Sequence, residues 1–267
     1  MQEFWRKLFE NAPELPPEPV AEPEEVPEID WMAEYLRELG LSQSGGAFGQ
    51  PSPVRKEYSS AVGFEPGMVP PDFETYQALL HRVFDPPKRK LCAQAAAQPM
   101  FRAAFEAWNS GDRQANLNIL YEVYGKLSSL LGAIYRFHPA PLGYDPKIGN
   151  FLGLYVLDSR RIVLSERLLA LPPGEMFDLI VHEQIHKLQH EMDLRLRHPS
   201  KFPLSLEERS LALYWQREAP RISAMYARGL NDISQGRHDA NYRRIGIEYH
   251  AYDTGEAVAD HLARAFA

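Results

Sequence analysis

Cysteine is almost absent: Cys92 is the only one in 267 residues. A lone cysteine excludes an intramolecular disulfide and any cysteine-built metal cluster, so a bound metal would have to be held by histidine and carboxylate. Long apolar runs are missing too. Charges interrupt every hydrophobic stretch well short of the ~18 residues a membrane helix needs, and mean hydropathy is −0.39. The N-terminus has no apolar core of a secretory signal, since Met1–Lys7 already carries Glu3 and runs on into proline. The expectation is a cytoplasmic protein without membrane spans, with signal-independent export left open. Excess basic charge is also missing. The net charge is −7, and residues 1–30 account for all of it with nine acids against Arg6 and Lys7. The rest of the chain is balanced and has no long run of Lys and Arg, so nucleic acid and anionic lipid are not expected partners.

What remains is a chain with 45% hydrophobic and 24% charged residues, enough to bury a core. Residues 1–30 read as an acidic Pro/Glu-rich flexible arm, because residues 12–29 hold six prolines and six glutamates and little to bury. At its start Phe4, Trp5, Leu8 and Phe9 could dock on a partner or on the protein's own surface. Residues 31–71 read as a short helix, capped by Asp30 with Trp31, Tyr35, Leu36 and Leu39 on one face, followed by a Gly/Ser/Pro-rich loop. From Asp72 to the end a single domain is expected. Helical periodicity over 72–136 has expected breaks at Asp85-Pro86-Pro87 and Asn109–Asp112. Residues 151–157 and 161–164 read as an antiparallel hairpin. Helices follow at about 174–197, 205–230 and 243–266, the middle one opened by the capping-box pattern Ser205-Leu-Glu-Glu208. The fold class expected is therefore α+β, predominantly helical with a small antiparallel sheet.

Residues 182–186 read His-Glu-Gln-Ile-His, the HExxH pattern. In a helix, i and i+4 share a face one turn apart, so two imidazoles can reach one zinc while the intervening Glu stands beside the open coordination position. There Glu183 can serve as general base and then acid in zinc-assisted hydrolysis. Phe177, Val181, Ile185, Leu188 and Met192 form an apolar stripe flanked by His182 and His186, so both histidines should lie at the edge of a core helix.

A catalytic zinc needs a third protein ligand. His190 lies eight residues beyond His182, about 12 Å along the axis, too far to share the ion. A His ten residues after the first, the metzincin spacing, is replaced by Met192. The last helix offers Glu248, Glu256 and His250, in that order of preference. Glu248 shares a small apolar face with Ala251, Gly255, Ala259, Leu262 and Phe266. Glu256 falls about 80° off that face, and His250 about 160° off, on a side where solvent is expected.

These residues resemble the gluzincin type of zinc metallopeptidase, in which HExxH is completed by a Glu on a later helix. More narrowly, Tyr242-x-x-x-Gly246-x-Glu248-x-x-Ala251-Tyr252 is similar to the Y-x-x-x-P-x-E-x-x-A segment of several groups of bacterial zincin-like proteins, with Gly246 in the place of Pro. The resemblance covers about residues 150–260. It implies a hydrolase with one zinc on His182, His186 and Glu248, Glu183 as the catalytic base and an edge strand able to pair with an extended substrate backbone, but no particular substrate; the expectation is a zincin-like domain over 72–267 acting on a peptide or protein substrate. Tyr242, with Tyr249, Tyr252 and His250 nearby, is a candidate donor to a developing oxyanion. Two other readings stand beside this one: a non-catalytic zincin-like binding or regulatory module whose arm engages a partner, and a secreted effector protease. Cys92 reads as core, with blocking of a latent zinc as the less favoured role.

Overall fold

The computed structural model describes residues 67–109, 111–144, 152–156, 159–197, 203–218 and 244–267. The acidic arm, the short helix at 31–39, most of the following loop and Tyr242 lie outside the described residues. The last stretch of that loop is described and packs on a helix: the Gly67 N–H donates to Ser210 Oγ at 2.7 Å, and Arg217 Nη1 to the Pro70 carbonyl at 2.6 Å.

Helix α1 spans Phe73–Ala96. It starts where Asp72 accepts a hydrogen bond from the Thr75 N–H at 2.7 Å, an N-cap that satisfies one of the free donors of the first turn. The expected break at Asp85-Pro86-Pro87 does not occur, and α1 runs through both prolines. Each proline removes a helix hydrogen bond, at a cost of about 3 kcal/mol or more. Burial on both sides offsets this: Tyr76, Leu80, Phe84 and Leu91 are all in the core, and full burial of each such side chain contributes roughly 1.5–3 kcal/mol. The next residue, Lys88, also ties the turn down, through Asp85 at 2.8 Å and Asp253 at 2.5 Å.

Helix α2, Pro99–Ala107, begins on a proline, and α3, Arg113–Tyr135, is capped by Asp112 through the Ala115 N–H at 3.0 Å. The break expected at 109–112 is thus present. The chain then lays down β1 (Leu142–Tyr144), β2 (Gly153–Val156) and β3 (Arg161–Leu164). β2 and β3 form the expected antiparallel hairpin, with Tyr155 opposite Ile162. The sheet is nevertheless mixed, in the order β1-β3-β2, because β1 joins β3 in parallel with Leu142 opposite Ile162. Three residues just after Pro139 and Pro141 give too short an alternation to be read as a strand, and proline is tolerated there because β1 is at the edge.

A 3-10 turn at Glu166–Ala170 leads into α4, Pro173–Arg197. Its stripe of Phe177, Val181, Ile185, Leu188 and Met192 is fully buried. Gln184, Lys187 and Gln189 around it are buried as well, which makes α4 the central helix. Residues 206–218 form α5, and the capping box is made in both directions: the Ser205 N–H donates to Glu208 Oε2 at 2.8 Å, and the Glu208 N–H to Ser205 Oγ at 3.2 Å. Helix α6, Gly246–Phe266, has its largest contact with α4 and its next largest with α1. Gly255 permits the close approach to α4, since a Cβ there would lie 2.1 Å from Asp178 Oδ1. The architecture is α+β and mainly helical, with the core between α1, α3, α4 and α6.

Candidate metal centre

His182 and His186 project from one face of α4 toward the first turn of α6. Their Nε2 atoms are 3.1 Å apart, and Glu248 Oε2 lies 3.5 Å from His182 Nε2 and 3.7 Å from His186 Nε2. A four-coordinate ion with ligand bonds of about 2.0–2.2 Å holds its donors about 3.3–3.6 Å apart, so three tetrahedral positions are already in place. Hydrogen bonding accounts for them less well. The two carboxylate distances exceed a normal hydrogen bond, and Glu248 Oε2 is a buried oxygen without a hydrogen-bond partner. A buried anionic oxygen needs a cation or a donor, and a metal ion at the centre of the triangle satisfies all three groups at once. His182, His186 and Glu248 can therefore hold a metal ion.

The electrostatics agree. Burial pushes the His186 imidazole down, but the adjacent Glu248 carboxylate outweighs it and takes the group up to about 9. Burial acts to raise Glu248, but His186 and His182 hold its carboxyl well below the usual range. Glu183, also buried, is raised by desolvation; the two histidines and a hydrogen bond from the Tyr155 backbone on β2 oppose the rise, and Glu248 adds to it. The edge strand thus contacts the would-be base directly.

Several elements fix Glu248. Tyr76 on α1 donates its hydroxyl to the Gly246 carbonyl, Trp215 on α5 donates Nε1 to that same hydroxyl at 3.0 Å, and Gln189 on α4 donates to the Ile247 carbonyl at 2.8 Å. Gly246 is required because a Cβ there would come within 2.7 Å of the Tyr214 ring.

Of the three residues ranked from the sequence, Glu248 meets the histidines; Glu256 and His250 are not in the group. His250 corrects one expectation, because it is not turned to solvent but fully buried. It stacks on Phe84 at 4.4 Å and lies parallel to Trp215 at 5.7 Å, since α6 is covered by α1 and α5 as well as by α4. Tyr249 faces α1, where its hydroxyl meets Gln77 and His81. Tyr252 instead sets its ring edge-on to His182, with centroids 4.6 Å apart. His190 is held by the Tyr155 hydroxyl at 2.9 Å, and burial pushes it down to about 4. Cys92 is buried against the Ala257 carbonyl, as a core residue would be. Sequence reasoning missed Gln189, although its position three residues after His186 places it on the same helix face.

A second group, His81, Asp85 and Asp253, also brings potential ligand atoms together. Lys88 already supplies its cation, through both carboxylates. Among the described residues no helix is long and apolar enough to cross a membrane. No family model, curated protein or solved structure matches the chain.

Proposed function

We propose that the chain is a zinc-dependent hydrolase, a metallopeptidase of gluzincin type, with His182, His186 and Glu248 holding one zinc. The observation that carries this reading is the unpartnered Glu248 oxygen facing two histidines of an HExxH helix at near-tetrahedral spacing. Two imidazoles and one carboxylate, leaving a fourth position open, are the donor set of a catalytic zinc and not of a closed structural one. A zinc so held supplies Lewis acidity toward water and a substrate carbonyl.

The protein's own groups would do the rest. Glu183, one residue from the first ligand, takes a proton from water at its carboxylate and returns it to the leaving nitrogen; desolvation strengthens it as a base. The Tyr155 N–H fixes that carboxylate against β2. Because β2 is at the edge of the sheet and packs on α4, an extended peptide backbone can be laid beside Glu183 by strand addition. Tyr252 or Tyr242 would donate to the oxyanion. A purely structural or binding module has no use for a buried carboxylate at position 183, which sets that reading second.

Metal analysis of the purified protein, paired with Glu183→Gln, tests the proposal. Expected are close to one zinc per chain in both forms, with peptide hydrolysis reduced by at least about a thousandfold in the variant. Wild-type protein that stays metal-free in excess zinc at neutral pH would overturn the metal reading. Full turnover by Glu183→Gln would move the base elsewhere.

A further inference from the structure

Gln189 stands at the junction of the two helices that carry the ligands. Its side chain is 2% exposed and makes three contacts at once. Nε2 donates to the Ile247 carbonyl at 2.8 Å; the same nitrogen lies 3.3 Å from His250 Nδ1; and Oε1 lies 2.9 Å from His186 Nδ1. The Ile247 carbonyl can only accept, so the amide end facing it must be the NH2 group. The end facing His186 is then the oxygen, and an oxygen there requires a proton on His186 Nδ1. That leaves His186 Nε2, the atom turned toward His182 and Glu248, with the lone pair for a metal.

The amide cannot readily turn over. Flipping it would set its oxygen against the Ile247 carbonyl at a partly buried position, where two facing acceptors are costly. His250 lies behind it, its imidazole clamped between Phe84 and Trp215 with Nδ1 3.3 Å from the same nitrogen; accepting that amide hydrogen places the ring's own proton on Nε2, a buried atom without a hydrogen-bond partner among the described residues. Ile247 immediately precedes Glu248, so the same side chain also ties the first turn of α6 to α4.

We infer that Gln189, backed by His250, is the positioning residue of the metal centre: it selects the Nδ1–H form of His186 and fixes the distance between His186 and Glu248. This rests on the proposed metal site. It adds a coupling between two ligands on different helices through one amide. Partners of this kind orient a ligating histidine, and their loss typically costs 10–100-fold in metal affinity.

Zinc affinity of the full chain, measured by chelator competition, tests the inference on Gln189→Met and Gln189→Glu. Met keeps the length and volume and removes both polar ends, and affinity should fall about 10–100-fold with the circular dichroism unchanged. Glu keeps an acceptor for His186 Nδ1–H but sets its second oxygen against the Ile247 carbonyl, so it should recover only the part of the loss that comes from the His186 contact, and no recovery at all would mean a merely space-filling role and overturn the inference. Nitrogen-15 spectra of the zinc-loaded wild type give a readout that does not depend on either variant folding. They should show His186 protonated at Nδ1 and metal-bound at Nε2. Binding through Nδ1, or wild-type affinity in a folded Gln189→Met protein, would overturn the inference alone. Failure of the wild type to bind zinc would overturn the metal site itself.

Discussion

Two clusters of histidine and carboxylate flank helix α6, and they differ in where their positive charge comes from. On the α1 side, His81, Asp85 and Asp253 surround Lys88, whose ammonium reaches both carboxylates at 2.5–2.8 Å. On the α4 side, His182, His186 and Glu248 converge with no Lys or Arg ion pair to Glu248 among the described residues, and one carboxylate oxygen is left without a partner. Ligand-type residues at ligand-type distances occur in both. The difference is that the first cluster holds a lysine ammonium fixed between its carboxylates, whereas the counter-charge of Glu248 in the second is a proton on His186 that a metal ion can displace. A displaceable counter-charge, more than the presence of histidine and acid, suits a cluster to bind a metal.

The largest effect that could break this contrast is loss of a histidine ligand. His186→Ala should lower zinc affinity by at least about a thousandfold, whereas His81→Ala should leave zinc stoichiometry at one per chain. Equal losses in the two variants, measured by metal analysis after dialysis, would mean the clusters are not functionally distinct.

A smaller effect sharpens the contrast through pH. In the metal-free protein His186 is raised from its ordinary 6.5 to about 9, so its ion pair with Glu248 contributes stability that is fully present below 6.5 and is lost as pH rises through 9. Glu248 is depressed, so its contribution is present above its ordinary 4.5 and is lost as pH falls below that value. These two groups therefore favour the metal-free fold most between about 4.5 and 6.5. Metal must displace the His186 proton, so zinc affinity should increase about tenfold per pH unit between 6.5 and 9. Calorimetric melting should show the chelated protein losing stability across that interval while the zinc-saturated protein, with His186 unprotonated both folded and unfolded, stays nearly level. Parallel trends would remove His186 from the site.

The contrast also explains what could be read from the sequence. The helix of HExxH, its apolar stripe and the capping box at Ser205 were legible because each is a local pattern with a fixed period. Glu248 was legible because phase along one helix puts it on the face that approaches α4, with Gly255 marking the close contact. His250 was misread because phase describes one packed face, while α6 is packed on several sides. Helix continuity through Pro86 and Pro87 was illegible for a similar reason: Phe84, Leu91 and Lys88 hold it from distant partners that no local rule contains. β1 has too few residues to carry an alternation. Gln189 went unseen because its role depends on the Ile247 carbonyl, 58 residues away.

The smallest expected effect is the most direct test of what the fixed ammonium does, and it comes from Lys88→Met. The methionine keeps most of the apolar stem that packs between α1 and α6 while removing the ammonium. Asp85 and Asp253 would then face each other beside His81 without a cation, a like-charge arrangement that is partly solvent-screened because both carboxylates are 23–32% exposed. Destabilisation of about 1–3 kcal/mol is expected, below the cost of breaking a fully buried pair. Stability lost in this way should be regained by binding: with Lys88 gone, His81, Asp85 and Asp253 become a cluster with an unmet demand, so millimolar divalent cation should raise the melting temperature of Lys88→Met more than that of the wild type. The zinc at His182, His186 and Glu248 should stay at one per chain. If added cation leaves the variant's melting temperature no higher than it leaves the wild type's, then ligand geometry, and not the missing charge, is what separates the two clusters.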